Sequence, residues 1–252
     1  MLQHLALAIA LLAASQTHSH RIVAESTHHR PMPTVLEIVE RSIEAVGGRS
    51  VWLKIKSQYG VGTIELQGTS IAGKFEVYAN ATNQSLVVMK MDRGIEIKTG
   101  FDGQRSWSQT LPNPAQYDPP TKQAASKRDA DFYKYLHFKK HFPNAKVTGI
   151  QEVDGEKAYR VEAFPVGEKL PERLYFNVET GLLVLRDISR VNAEGKIVPD
   201  MIYYSDYRSV DGIKIAFSLR MIQGDTTIIT KQTSLKNNVP MDNALFRLPV
   251  SQ

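Results

Sequence analysis

The stretch Ile71-Ala72-Gly73-Lys74-Phe75-Glu76-Val77-Tyr78 decides how the chain is read. Apolar Ile71, Phe75 and Val77 alternate with Lys74, Glu76 and Tyr78. A period of two puts one face of an extended segment in a dry core and the other in water. The pattern repeats on both sides. Upstream, Ile64 and Leu66 alternate with Thr63, Glu65 and Gln67; downstream, Ile95, Ile97 and Phe101 alternate with Glu96 and Lys98. Gly68, Asn80–Asn83, Asp92-Arg93-Gly94 and Asp102-Gly103 fall between these runs as turns, which makes the first half an antiparallel meander.

The meander is interrupted once. Pro112, Pro114, Pro119 and Pro120 exclude a central strand from 111–121, and the spacing then predicts one helical stretch from about Lys122 to Phe142 carrying Phe132, Tyr135, Leu136 and Phe138. Alternation resumes at Lys146 and continues through Tyr159–Ala163, Leu174–Phe176, Leu183–Leu185, Met201–Tyr207, Ile213–Met221 and Thr226–Thr233. Asp154-Gly155, Thr180-Gly181, Glu194-Gly195, Asp211-Gly212 and Gly224-Asp225 punctuate it. The count is about eleven strands, a mainly β (α+β) chain with a helical insertion. Ahead of the first strand, Thr34-Val35-Leu36-Glu37 fits a capping box, and Val35, Leu36, Val39, Ile43 and Val46 recur at helical spacing until Gly47-Gly48 stops the helix. Trp52, Leu53 and Ile55 fit a second short helical turn, and Phe246 anchors a last turn near the C-terminal end.

Leu5 to Ala14 is unbroken apolar sequence followed by Ser15. That length suits the core of a signal peptide cleaved near Ser15 and is short for a membrane span, so residues 1–15 are read as a leader and the mature chain as exported to the periplasm. Residues 16–32, with His18, His20, His28 and His29, carry no apolar periodicity and read as a flexible lead-in to a domain over 33–252. Zero Cys among 252 residues removes disulfides, a thiol nucleophile and a lipid-anchoring cysteine. Net charge is +5, but no run of Lys and Arg is dense enough for a nucleic-acid stripe. Lys127-Arg128 and Lys139-Lys140 read as solvated pairs on a helix face, and the balance suits weak attraction to anionic membranes.

Catalytic signatures are missing. There is no G-x-S-x-G elbow, no phosphate-cradling glycine loop and no local triad, so neither an enzyme nor a cofactor is expected. His137 and His141 stand at i, i+4 like a zinc pair, but no third ligand is evident and Glu does not follow His137; they read as exposed histidines with no metal. Asp129 and Asp131 diverge on a continuous helix and read as solvating residues. Asn80 and Asn83 stand in letter-level glycosylation sequons and read as turn residues.

The order of elements resembles the LolA/LolB-like lipoprotein-carrier superfamily. Phe101-Asp102-Gly103 with Trp107, Tyr175-Phe176-Asn177 with Thr180-Gly181-Leu182, Tyr207 with Asp211-Gly212-Ile213, and Asp242 with Leu245-Phe246 resemble that family's hairpins and closing segments, over about Thr34 to Pro249. The resemblance implies an unclosed, strongly curved antiparallel β-barrel with helices at its mouth and an apolar concave face that receives acyl chains. Two departures stand beside it: the chain is longer than the typical lipoprotein chaperone, and no one residue matches the family's lid-latching arginine.

Phe75, Val77, Leu86, Val88, Ile97, Trp107, Phe132, Leu136, Phe217, Leu219 and Met221 are the candidate ligand-binding residues, with Met89, Met91 and Met201 as adaptable lining. These residues equally suit a solid core. Burying a long acyl chain at roughly 0.8 kcal/mol per CH₂ contributes on the order of 10 kcal/mol before ordering costs. The expected partner is a lipid or lipoprotein acyl chain, with a membrane-bound donor or acceptor protein and no nucleic acid. The alternatives are an RseB-like envelope sensor that reports the ligand to a protein, and a structural envelope component without ligand.

Overall fold

A computed structural model describes residues 32–249 apart from positions 169, 189, 192, 193 and 199. The leader, the lead-in up to residue 31 and its four histidines lie outside the described residues.

The capping box forms as the sequence predicts. The Thr34 amide donates to Glu37 Oε2 at 2.7 Å and the Glu37 amide donates to Thr34 Oγ1 at 3.2 Å, opening helix α1 (Val35–Ala45). Its buried stripe is Ile38, Val39 and Ile43, whereas Leu36, expected on that face, is exposed. A single turn, α2 (Arg49–Trp52), follows. Gly47 joins them at φ +111°, where a Cβ would lie 2.2 Å from the Gly212 carbonyl oxygen, so only glycine fits. The Lys214 amide donates to the Val46 carbonyl at 3.0 Å, and this pins the end of α1 to a hairpin of the sheet.

Among the described residues fifteen strands follow rather than about eleven. The first half holds β1 (Ser57–Leu66), β2 (Ala72–Asn80), β3 (Ser85–Met91), β4 (Glu96–Phe101), β5 (Ser106–Thr110) and β6 (Gln116–Tyr117). The second holds β7 (Lys146–Val153), β8 (Glu156–Ala163), β9 (Glu172–Asn177), β10 (Leu183–Ile188), β11 (Arg190–Val191), β12 (Ile197–Val198), β13 (Asp200–Val210), β14 (Ile213–Gln223) and β15 (Thr226–Asn237). Thirteen form one antiparallel sheet in the order β6-β5-β4-β3-β2-β1-β15-β14-β13-β10-β9-β8-β7, unclosed, with β6 and β7 as its edges; β11 and β12 form a separate ribbon. One hydrophobic cluster takes Val87, Met89 and Ile97 from one wing, Val161, Leu174 and Phe176 from the other, and Ile38, Val39 and Ile43 from α1. A flat sheet this wide cannot bring both wings to one core, so the sheet curves around α1.

The insertion is what the topology makes conspicuous. The chain leaves one sheet edge at Tyr117 and re-enters the opposite edge at Lys146, so the intervening segment crosses from edge to edge. The single helix expected over 122–142 is instead α3 (Pro120–Asp129), a run of turns, and α4 (Phe138–His141). The break falls where Asp129, Asp131 and Lys134 all turn inward and become buried, which a continuous helix would not allow.

The convex side is also apolar. Trp107 packs there with Leu86, Val88 and Phe246, and its indole Nε1 donates to the Phe246 carbonyl at 2.8 Å. Phe246→Ala removes the plug of this second core and is expected to cost about 3–5 kcal/mol of stability. Urea unfolding measures it, and a loss below about 1 kcal/mol would show that the closing segment does not seal the sheet.

Candidate functional site

A cavity of about 110 Å³ lies where α1, the middle of the insertion and the strands β9, β10, β13 and β14 converge. Val39, Ile43 and Val46 form its wall from α1; Phe132, Tyr135 and Leu136 form its wall from the insertion. It sits beside a seam in the sheet. β14 pairs with β13 over almost its whole length, yet with β15 only from Ser218 to Gln223. Gln232–Asn237 of β15 pair with β1 instead. Gln58, Lys214, Ile215 and Ala216 border the cavity at this seam. A second hollow of about 220 Å³ lies between α3 and strands β3, β4 and β5, with Trp107 and Val87 on its border.

The candidate binding residues fall into separate groups. Phe132 and Leu136 line the first cavity and Trp107 borders the second. Phe75, Val77, Ile97, Phe217, Leu219 and Met221 belong to the packed core on the concave side, where they support the cavity floor without lining it. Leu86 and Val88 are a correction: Val87, Met89 and Met91 take the concave face, so strand alternation turns Leu86 and Val88 to the convex core. Both faces of β3 are apolar, and the pattern therefore does not reveal which one is inward. Met201 likewise packs on the convex side with Tyr175 and Leu185, behind the register shift between Leu183 and Leu185. The sequence reading missed Tyr204, Tyr207, Phe176 and Leu183 as lining; their alternation marked them as core, and only the seam makes a cavity of them.

The insertion is held by charges. Arg186, wholly buried on β10, donates from Nε to Glu172 Oε2 at 2.7 Å and from Nη2 to Asp129 Oδ1 at 3.0 Å. Lys134 pairs with the same Asp129 oxygen. Arg128 donates from Nη2 to Glu172 Oε1 at 2.9 Å and pairs with Glu168. Three cations and three carboxylates thus balance one another. Arg128 and Asp129, expected to be solvated, are buried because their partners on β9 and β10 come from distant sequence. Burial pushes the Glu172 carboxyl up, but Arg186 and Lys134 outweigh it and hold the pKa down at about 2; the same balance holds Asp129 low against Arg186. Asn83 adds a neutral tether, its Oδ1 accepting from the Phe132 amide at 3.0 Å.

Asp131 corrects a second expectation of solvation. It is buried, and its Oδ2 lies 2.8 Å from His137 Nδ1 and 2.6 Å from His141 Nε2. Burial pushes this carboxyl up, yet the hydrogen bonds from His141 and His137 bring its pKa to about 2. His141 is largely covered, not exposed.

No family model and no curated protein matches the sequence. Solved structures do. A DUF1329 family protein from Desulfovibrio piger superposes with a TM-score of 0.58 at 14% identity, over 84% of this chain and 97% of that one. A LolA superfamily protein from Nitrosomonas europaea gives 0.57 at 11% identity, over 86% and 98%. An outer membrane lipoprotein-sorting protein domain from Vibrio parahaemolyticus gives 0.55 at 9% identity, over 84% and 95%. The chain has the LolA/LolB-like fold that its motifs resemble.

Because the Glu172 carboxyl titrates lower folded than its ordinary 4.5, it stabilises the fold fully above that value, and the contribution is lost as pH falls through about 2. Stability should therefore drop between about pH 4.5 and pH 2. Glu172→Gln should cost about 3–5 kcal/mol at neutral pH, by leaving Arg186 and Arg128 short of an anion, and should flatten that acid limb. Urea unfolding across pH reads both; a wild-type acid limb retained in the variant would exclude Glu172 as its source.

Proposed function

We propose that this chain is an exported, non-catalytic binding protein that carries a lipid or lipoprotein acyl chain in the cavity between α1, the insertion and the sheet. The observation that carries the reading is the cavity itself: a mostly apolar space, with Asp131 and Lys134 on its border, roofed by a segment that crosses the open side of a LolA/LolB-like sheet. Its size sets the mechanism. Pockets for drug-sized ligands run about 300–1,000 Å³, several times the 110 Å³ present, so the cavity takes an acyl chain only when Phe132, Tyr135 and Leu136 withdraw. In the empty state these side chains stand where the ligand would lie and keep the apolar surface dry. Loading exchanges their contacts for acyl contacts.

A polar feature supports an ester or carboxylate head rather than a bare hydrocarbon. The Tyr135 hydroxyl is buried and has no hydrogen-bond partner among the described residues. Such a group costs free energy until something accepts its proton, and an ester oxygen would. Lys214, at the seam, adds a cation near the cavity rim. The apolar leader read from the sequence and the fold shared with a lipoprotein-sorting structure support an envelope location, for which donor or acceptor membrane proteins would be the corresponding partners.

Native mass spectrometry with lipid extraction, followed by titration with a fluorescent fatty acid, tests this reading. The protein should carry or take up one acyl ligand. Phe132→Ala combined with Leu136→Ala should preserve or strengthen uptake by vacating the roof. Ala216→Phe, which fills the cavity from the sheet side, should weaken it at least about tenfold, or 1.4 kcal/mol. A protein that is empty and takes up no fatty acid excludes the carrier reading.

A further inference from the structure

We propose that Asp131, His137 and His141 form a binding site for a single divalent transition-metal ion of the Zn²⁺ class. Spacing alone offered two histidines without a third ligand. The turn after α3 supplies it by bringing Asp131 back between the two rings, so that one ligand atom from each residue lies within 4.8 Å of the others.

The donors are oriented before any ion arrives. The Tyr133 amide donates to Asp131 Oδ1 at 3.1 Å, and this turns Oδ2 toward both imidazoles. His137 and His141 sit one turn apart across α4, with the His141 amide donating to the His137 carbonyl at 3.3 Å. Tetrahedral zinc with ligand distances of about 2.1 Å places neighbouring donors about 3.4 Å apart. The present Asp–His separations are 2.8 and 2.6 Å, so each has to open by less than about 1 Å to admit an ion. Two imidazoles and one carboxylate match the donor preference of zinc and its neighbours rather than calcium or magnesium.

Exposure fits a site with an entry path and a place for a fourth, solvent-derived ligand. The Asp131 and His141 side chains are 6% and 14% exposed, while His137 is 43% exposed. The ion would join the two ends of the segment whose Phe132, Tyr135 and Leu136 roof the cavity. Its occupancy would therefore stiffen that roof. The metal site itself stands whether or not the cavity carries lipid.

Co²⁺ titration of the full exported chain tests the site, because tetrahedral or five-coordinate Co²⁺ absorbs visibly where hydrated Co²⁺ is faint. One Co²⁺ per chain should produce this absorption and Zn²⁺ should displace it. His141→Ala and His137→Gln should each abolish it, and Zn²⁺ should raise the Tm of the wild type but not of either variant. His137 is the most exposed ligand, so H137Q keeps the test valid if H141A fails to fold. No absorption in the wild type, or absorption retained in H137Q, overturns the proposal; the latter would assign the ion to other histidines, such as His18, His20, His28 and His29.

Discussion

Arg186 is the constraint on which the site depends. A guanidinium that is wholly buried in a β-sheet persists only if anions meet it, since an unpaired buried charge costs several kcal/mol. Glu172 on the neighbouring strand supplies one anion, and Asp129, 57 residues away in sequence, supplies the other. Asp129 belongs to the insertion. Arg186 and Glu172 balance within the sheet, but Nη2 of Arg186 also reaches Asp129, and the insertion's buried Arg128 and Lys134 find their anions only in Glu172, Glu168 and Asp129, so the network ties the insertion across the sheet.

Topology makes this pairing consequential. The insertion links the two free edges of an unclosed sheet, and α1 occupies the concave side beneath it. The apolar wall of the cavity is thus made from parts with different obligations. β13 and β14 are committed to the sheet by continuous pairing, whereas the segment 130–137 has no regular ladder of its own and is held by side chains. A structure arranged in this way can open at one wall without unravelling the others. The seam between β14 and β15 contributes from the opposite side, since Lys214, Ile215 and Ala216 pair with β13 but not with β15.

Much of the fold was legible in the sequence because it rests on local rules. Strand alternation, turn glycines, the Thr34–Glu37 capping box and the Gly47 stop each depend on residues a few positions apart, and each formed as read. What local pattern could not supply is which of two apolar faces turns inward. Leu86 and Val88 were misplaced because Phe246, over 150 residues later, gives the convex face a core of its own. The polar part of the site was illegible for the same reason. Asp129 and Asp131 look solvated until a helix break brings them to Arg186 on one side and to His137 and His141 on the other. Phe132 and Leu136, candidate binding residues from the sequence, lie on the cavity wall, while the tyrosines around them passed as ordinary core.

Hydrogen–deuterium exchange on metal-free protein, with and without a bound fatty acid, tests most directly whether the insertion is a cover. The Ala130, Lys134 and Phe142 amides are hydrogen-bonded within the insertion, and the ladder of β13 with β14 provides an internal reference. The account predicts that loading speeds exchange across 130–142 and leaves the β13–β14 ladder unchanged. Exchange that is unaltered or slower throughout the insertion while ligand is bound would contradict it, and would mean that the segment is a fixed wall.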